Sequence, residues 1–355
     1  MINFYETVFL LKFPIILLII SYFILFINWD LIFRSFKLAK YNKIQRVHLN
    51  EIPRLGGLLI VIVYFFYICA MDFNNDNFFI LLVLSFLPTL LISLKEDLFF
   101  NTKTSSRVIA MTLSCLIYFL VASIKFPIID LPIVNYILQN ELIEYLFFIF
   151  SVLIIMNGNN MIDGANGLMS FSILSQLIGI FYLAVEVGDI TIQLYSLLLF
   201  FPVIIFLIFN YPLGKIFMGD LGTFFLGFYI SILILMLFSQ YPEIPSWNAV
   251  LILFYPSMEV LYSFYRKFFI ARINPMISDK KHLHSIIFCY GVNKKIDEKK
   301  MNNLVALILC PFWLAPILMT QFYNNLSLIY LCLFILFLLY IVTYNVVTKK
   351  LKNIN

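Results

Sequence analysis

The run Asn157-Gly-Asn-Asn-Met-Ile-Asp163-Gly-Ala-Asn-Gly167 sets one carboxylate among amides and glycines between two long apolar segments. Backbone that leaves a helix at membrane depth is tolerated only where protein or water satisfies its polar groups, so the insert predicts a water-facing pocket. An ordinary exposed loop is the plainer reading, since Asn and Gly are common turn formers. Four more groups of this character stand out. They are His48 to Gly57, which includes Arg54; Lys95-Glu96-Asp97, with Arg107 beyond it; Lys215-Ile-Phe217-Met-Gly219-Asp220-Leu-Gly222-Thr223; and a loop with Arg272, Asn274-Pro275 and Asp279-Lys280-Lys281-His282-Leu-His284.

These residue types suit phosphoryl transfer between two anionic partners, whose mutual repulsion has to be neutralised. Magnesium does this with one or two carboxylates, several waters and the substrate phosphates. Asp220, between Gly219 and Gly222 at the start of an apolar run, is placed for such a metal (Mg2+ or Mn2+), and the free N–H groups of a helix N-terminus there favour phosphate. A plain N-cap aspartate is the alternative. Asp163, Glu96 and Asp97 are the other candidate acids, although a solvated helix end balancing Lys95 and Arg107 also accounts for the Glu96-Asp97 pair. Arg272, Lys280, Lys281, His282 and His284 share one loop with groups that hold a diphosphate or move a proton. Asn157, Asn160 and Asn166 offer amides suited to a base or a sugar, and Lys215 joins the substrate-binding set. Glu259 lies inside an apolar run, which marks it for function unless it pairs locally with Arg266 or Lys267.

Long apolar elements must position these groups. Of 355 residues, 63% are hydrophobic and 12% charged, which excludes a soluble domain. About 20 apolar residues cross a bilayer, and the pattern predicts an all-α integral membrane protein of about 11 transmembrane helices in a single polytopic domain, residues 1–355. The runs are 8–27, 55–71, 78–94, 108–123, 142–156, 168–187, 190–209, 224–239, 247–264, 304–319 and 326–347. All Lys and Arg except Lys12 and Lys125 fall in alternate connections, 30–54, 95–107, 157–167, 210–222 and 266–301, or in the tail from Thr348. The positive-inside rule makes these cytoplasmic, with the N-terminus outside, the C-terminus inside and all five polar groups on the cytoplasmic face. The first run lacks a small-residue cleavage site and reads as a retained helix. These loops explain the net charge of +5, which gives no support for nucleic-acid binding and suits anionic membrane lipid. The five cysteines show no paired spacing, so neither disulfides nor zinc are expected.

The ordered set resembles the polyprenyl-phosphate N-acetylhexosamine-1-phosphate transferase family over roughly His48 to His284. The matching motifs are N-x-x-N-x-x-D-G-x-x-G-L at Asn157, G-D-x-G-[ST]-x-x-L-G at Gly219 to Gly227, and an H-x-H cluster in the last large loop. The resemblance implies transfer of an amino-sugar-1-phosphate from a UDP-N-acetyl sugar to undecaprenyl phosphate, with release of UMP, in a bacterial inner membrane; a homodimer is consistent with it. It also implies metal at Asp220, lipid phosphate near Asp97, His48 and Arg54, nucleotide near Asn160 and Asp163, and Phe217 as a candidate for stacking on uracil. Packing alone also accounts for Phe217, and a basic juxtamembrane segment for His48 and Arg54. An eleven-span layout suits the branch that primes O-antigen and other surface polysaccharides. Two positions depart from the family pattern: Glu96 stands where aspartate is usual, and Ser285 where histidine often follows. They keep an inactive relative in view. A transporter or lipid translocase is the other alternative, against which stand the gathering of acids at one face and the lack of repeated halves.

Overall fold

The computed structural model describes Ile16 and residues 54–70, 78–122, 125–277, 279 and 281–352, with backbone only for 66–70. The expected first span, 8–27, therefore lies outside the described residues apart from Ile16, as do His48 and Lys280. Every described element is helical: α1 Gly56–Ala70, α2 Phe78–Phe99, α3 Thr104–Ala122, α4 Pro132–Leu138, α5 Glu141–Ile162, α6 Leu168–Glu186, α7 Ile190–Asn210, α8 Gly219–Gln240, α9 Trp247–Ile252, α10 Phe254–Tyr265, a π-helical turn Arg266–Ile270, α11 Leu283–Asn293, α12 Glu298–Ile308, α13 Cys310–Thr320 and α14 Leu326–Lys352. Eight helices are long and apolar enough to cross a membrane, with α12 and α13 counted together as Glu298–Thr320, and Gly56–Phe65 is a shorter apolar helix.

Three stretches differ from the sequence expectation. The run 247–264 is broken at Leu253 into α9 and α10, because Pro256 has no N–H to give the carbonyl one turn back and its ring crowds it. Pro311 opens α13 and interrupts the 304–319 run in the same way. The insert at Asn157 is helical as far as Ile162, so only its second half leaves the helix.

Helix α8 is the centre of the bundle. It is apolar all round, and nearly every residue from Gly219 to Phe238 is buried, which is how such a helix must sit. It packs on α1, α2, α5, α6 and α7, while α14 shows most of its apolar surface outward. Helices inside a membrane gain little hydrophobic drive from one another, so close approach through small residues carries the packing. Gly227 of α8 lies on the backbone of Met156 in α5, and Gly158 of α5 lies on Pro256 of α10. Tyr64 of α1 meets the rings of Phe79, Phe225 and Tyr229, each at 5.3 Å.

The tightest contact lies at the N-terminal ends of α1 and α8. A Cβ on Gly57 would stand 2.1 Å from Gly222 Cα and 2.2 Å from Gly222 N, backbone atoms that cannot swing aside. Gly56 N–H and Gly57 N–H donate to the carbonyls of Phe217 and Met218, at 3.0 and 2.8 Å. Gly57→Val is therefore expected to cost roughly 3 kcal/mol, the upper end of overpacking effects, and to lift Arg54 away from α8. A thermal melt in detergent that matches wild type would refute this.

Candidate active site

The polar ends of α1, α2, α3, α5 and α8 meet at one end of the bundle. The free N–H groups that open α8 point at Asp97, whose Oδ1 accepts from Asp220 N–H at 2.8 Å and whose Oδ2 accepts from Leu221 N–H at 2.9 Å. A carboxylate from another helix thus does the work of an N-cap and lies at the positive end of the helix dipole. Gly219 makes the approach possible: its φ is +79°, and a Cβ there would stand 2.3 Å from Arg54 O and 2.7 Å from Asp97 Oδ2.

The Asp220 carboxylate is held from three sides. Arg54 Nη2 donates to Oδ1 at 2.9 Å, Arg107 Nη1 donates to Oδ2, and Asn160 Nδ2 donates to Oδ1 at 3.0 Å and to Thr223 Oγ1 at 3.0 Å. Arg54 Nε is also 3.8 Å from Asp97 Oδ1. Asp163, the C-cap of α5, is near enough for Arg54 and Asp220 to act on its charge. Burial pushes its carboxyl up to about 7, with Asp220 adding to the shift and Arg54 and the backbone N–H groups of Gly219 and Met218 opposing it. Among the described residues no three His, Cys, Asp or Glu side chains form a ready-made cation cage.

The histidine loop lies against the same α5 end. A Cβ on Gly164, the residue after Asp163, would stand 2.2 Å from His284 Nε2, so the buried His284 ring rests on that glycine. His284 Nε2 shares a 2.9 Å hydrogen bond with Ser285 Oγ. Burial pushes its pKa down to about 4, Glu259 opposes this and His282 adds to it, and the ring is neutral at pH 7. The His282 and His284 rings are parallel, with centroids 5.8 Å apart.

Several candidate residues are placed otherwise than their types suggest. Glu96 turns away from Asp97: its Oε2 accepts from Thr102 N–H at 2.8 Å and Thr102 Oγ1 at 2.6 Å, closing the connection from α2 to α3. Asn157 donates back to Leu153 O on its own helix at 2.8 Å. Asn166 spends its amide on Asn303 Oδ1 at 2.8 Å, pinning the loop to α12. Lys215, Arg272 and Lys281 are exposed, and Phe217 is half-buried with its carbonyl engaged by Gly56. Glu259 pairs with neither Arg266 nor Lys267; Arg266 instead binds Asp279 at 2.7 Å. Arg107 and Thr223 are the site's additions to the candidate list. Their signal is slight: each lies near the start of a helix that follows or contains an acidic motif.

Fold and site define a multi-pass membrane protein in which a charged cluster joins acids, arginines and a helix N-terminus at the ends of its helices. The model of glycosyl transferase family 4 matches residues 78–238. The chain is 28% identical over 298 residues to the undecaprenyl-phosphate alpha-N-acetylglucosaminyl 1-phosphate transferase of Thermotoga maritima, covering 82% of this chain and 85% of that one. It is 25% identical over 302 residues to the probable undecaprenyl-phosphate N-acetylglucosaminyl 1-phosphate transferase of Bacillus subtilis, covering 84% and 80%. A putative UDP-N-acetylglucosamine–dolichyl-phosphate N-acetylglucosaminephosphotransferase of Saccharolobus solfataricus is 28% identical over 217 residues, 59% of this chain and 67% of that one. Over four-fifths of its length the chain is thus similar to undecaprenyl-phosphate N-acetylglucosaminyl 1-phosphate transferases, which are phosphotransferases.

Proposed function

We propose that the protein transfers an N-acetylated amino-sugar-1-phosphate from a UDP-sugar to undecaprenyl phosphate, releasing UMP, as the priming step of a cell-surface polysaccharide in a bacterial inner membrane. The observation that carries this is the meeting of Arg54, Arg107, Asp97 and Asp220 at the N-terminus of α8, which sets two guanidinium groups suited to phosphate beside carboxylates suited to a divalent cation. A lipid phosphate oxygen attacks the sugar-bearing phosphorus of the donor, and the bond from that phosphorus to the bridging oxygen breaks. UMP leaves with the electron pair. The nucleophile is already anionic, so no base is needed to activate it. Arg54 and Arg107 are the groups that hold phosphate charge, and Asn160 and Asp163 lie on the nucleotide side.

The donor set fits a hard cation of the magnesium type, being oxygen-only, with Asp220 and Asp163 within electrostatic reach of each other; one or two carboxylates suffice when water and phosphate complete the shell. Asp220 would hold it, giving up an arginine to do so. When bound, such an ion polarises the bridging oxygen and stabilises the leaving UMP. An eleven-span layout, N-terminus outside and C-terminus cytoplasmic, is part of the same reading. The eight long helices, α1, the broken pair α9–α10 and the 8–27 run together support it.

The test is UMP release and mass spectrometry of the lipid product from purified protein given undecaprenyl phosphate and a panel of UDP-N-acetyl sugars, with magnesium and with chelator. A magnesium-dependent lipid-diphosphate sugar is expected. Folded protein that forms no product with any donor would overturn the proposal. In the same assay Gly164→Val, which forces the His284 ring off its seat, is expected to lower turnover about tenfold or more, because misplacement near 1 Å costs up to about a hundredfold.

A further inference from the structure

We propose that Glu259 is a positioning residue for His282, holding the imidazole so that its Nε2 edge serves the transfer site. Glu259 is 1% exposed on α10. A buried carboxylate is tolerated only when its oxygens are satisfied, and its satisfaction here is specific. His282 Nδ1 lies 3.2 Å from Oε2, and Tyr255 O–H donates to Oε1 at 3.4 Å. The cations that follow Glu259 in sequence are committed elsewhere. Arg266 holds Asp279, and Lys267 Nζ donates to Ile277 O at 2.8 Å and Pro275 O at 3.3 Å, folding the loop that carries the histidines.

The consequence for His282 is a defined orientation. With a carboxylate on Nδ1, that nitrogen carries the proton, as with histidines whose second nitrogen is set by an outer partner. Its Nε2, 4.0 Å from Asp279 Oδ1, is beyond hydrogen-bond distance of that acid, and the side chain keeps 12% exposure. His284 cannot take this role, since its Nε2 is bonded to Ser285 and its ring is buried on Gly164. The chain of contacts runs from Glu259 through His282 and His284 to Gly164, next to Asp163.

The inference rests on the transferase reading for its kinetics and on neither substrate nor metal for its geometry, so two readouts are used. With only three histidines in the chain, 15N-imidazole NMR of the labelled full-length protein, assigned with His282→Asn, reports the tautomer directly. Wild type is expected to show His282 protonated at Nδ1, and Glu259→Gln to lose that preference. In the transfer assay, Glu259→Gln is expected to lower kcat about 10- to 100-fold, the range for outer partners of functional histidines, with donor KM within about twofold. The double variant Glu259→Gln/His282→Asn should be no worse than His282→Asn alone, because the two act as a unit. Glu259→Asp keeps the charge, serves if the glutamine variant does not fold, and should give an intermediate kcat. An unchanged tautomer, losses that multiply in the double variant, or wild-type kcat in the variants would overturn the positioning role. Wild-type protein that forms no product would instead count against the transferase reading, with the NMR arm still deciding the Glu259–His282 pair.

Discussion

Asp220→Asn is expected to reduce sugar-1-phosphate transfer on the order of 10³-fold, the upper range for removing one preorganised electrostatic group from an active site. The asparagine is nearly isosteric, so the loss isolates charge. Without it, the guanidinium groups of Arg54 and Arg107 lose the carboxylate they share, and an oxygen ligand for a divalent cation is gone. Stability should suffer less than activity. Asp220 itself is 2% exposed, but both arginine side chains are about a fifth exposed and can turn toward water, so roughly 1–3 kcal/mol is expected, as for a group that loses its hydrogen-bond partner. A purified variant that still melts cooperatively and releases no UMP supports the assignment; turnover within tenfold of wild type sinks it.

For Asp97→Asn the expected result is a loss on the order of 10²-fold with a measurable fall in melting temperature. Both oxygens of Asp97 accept backbone N–H groups, from Asp220 and Leu221. An asparagine can accept only one of them and turns its NH2 against the other, leaving a buried donor unmet at about 1–3 kcal/mol. Loss of the negative charge at the helix N-terminus adds roughly 0.3–1 kcal/mol. The start of α8 then shifts, and Asp220 with it, and a shift of about 1 Å is enough for the predicted kinetic loss. Compared with Asp220→Asn, this variant should melt somewhat lower and keep more turnover. An unchanged melt with full activity would remove Asp97 from the site.

Asp97, Asp163, Asp220, His282 and His284 were legible before any coordinates, because a carboxylate or imidazole in a chain this apolar must have a reason to be there. The same argument could not say what each side chain does. Glu96 and Asp97 are neighbours with identical sequence signals, yet one closes a turn with Thr102 and the other caps α8, because successive helical residues point about 100° apart. Asn157 and Asn160 share a motif, but only Asn160 lies on the face toward Asp220. Glu259 was open to a local pair with Arg266 or Lys267, and the fold gives it His282, 23 residues away.

The sequence by itself determined that this is an all-helical membrane protein with polar groups concentrated in a few inserts, because hydrophobicity summed over some 20 residues is a local quantity that lipid reads directly. Only the tertiary structure decided which of those groups meet. Asp97 reaches the N-terminus of α8 across 123 residues and Arg107 reaches Asp220 across 113. Such pairings depend on how far each helix is rotated and how closely glycines such as Gly57 and Gly222 let the backbones approach, and neither the rotation nor the distance is encoded in any single segment.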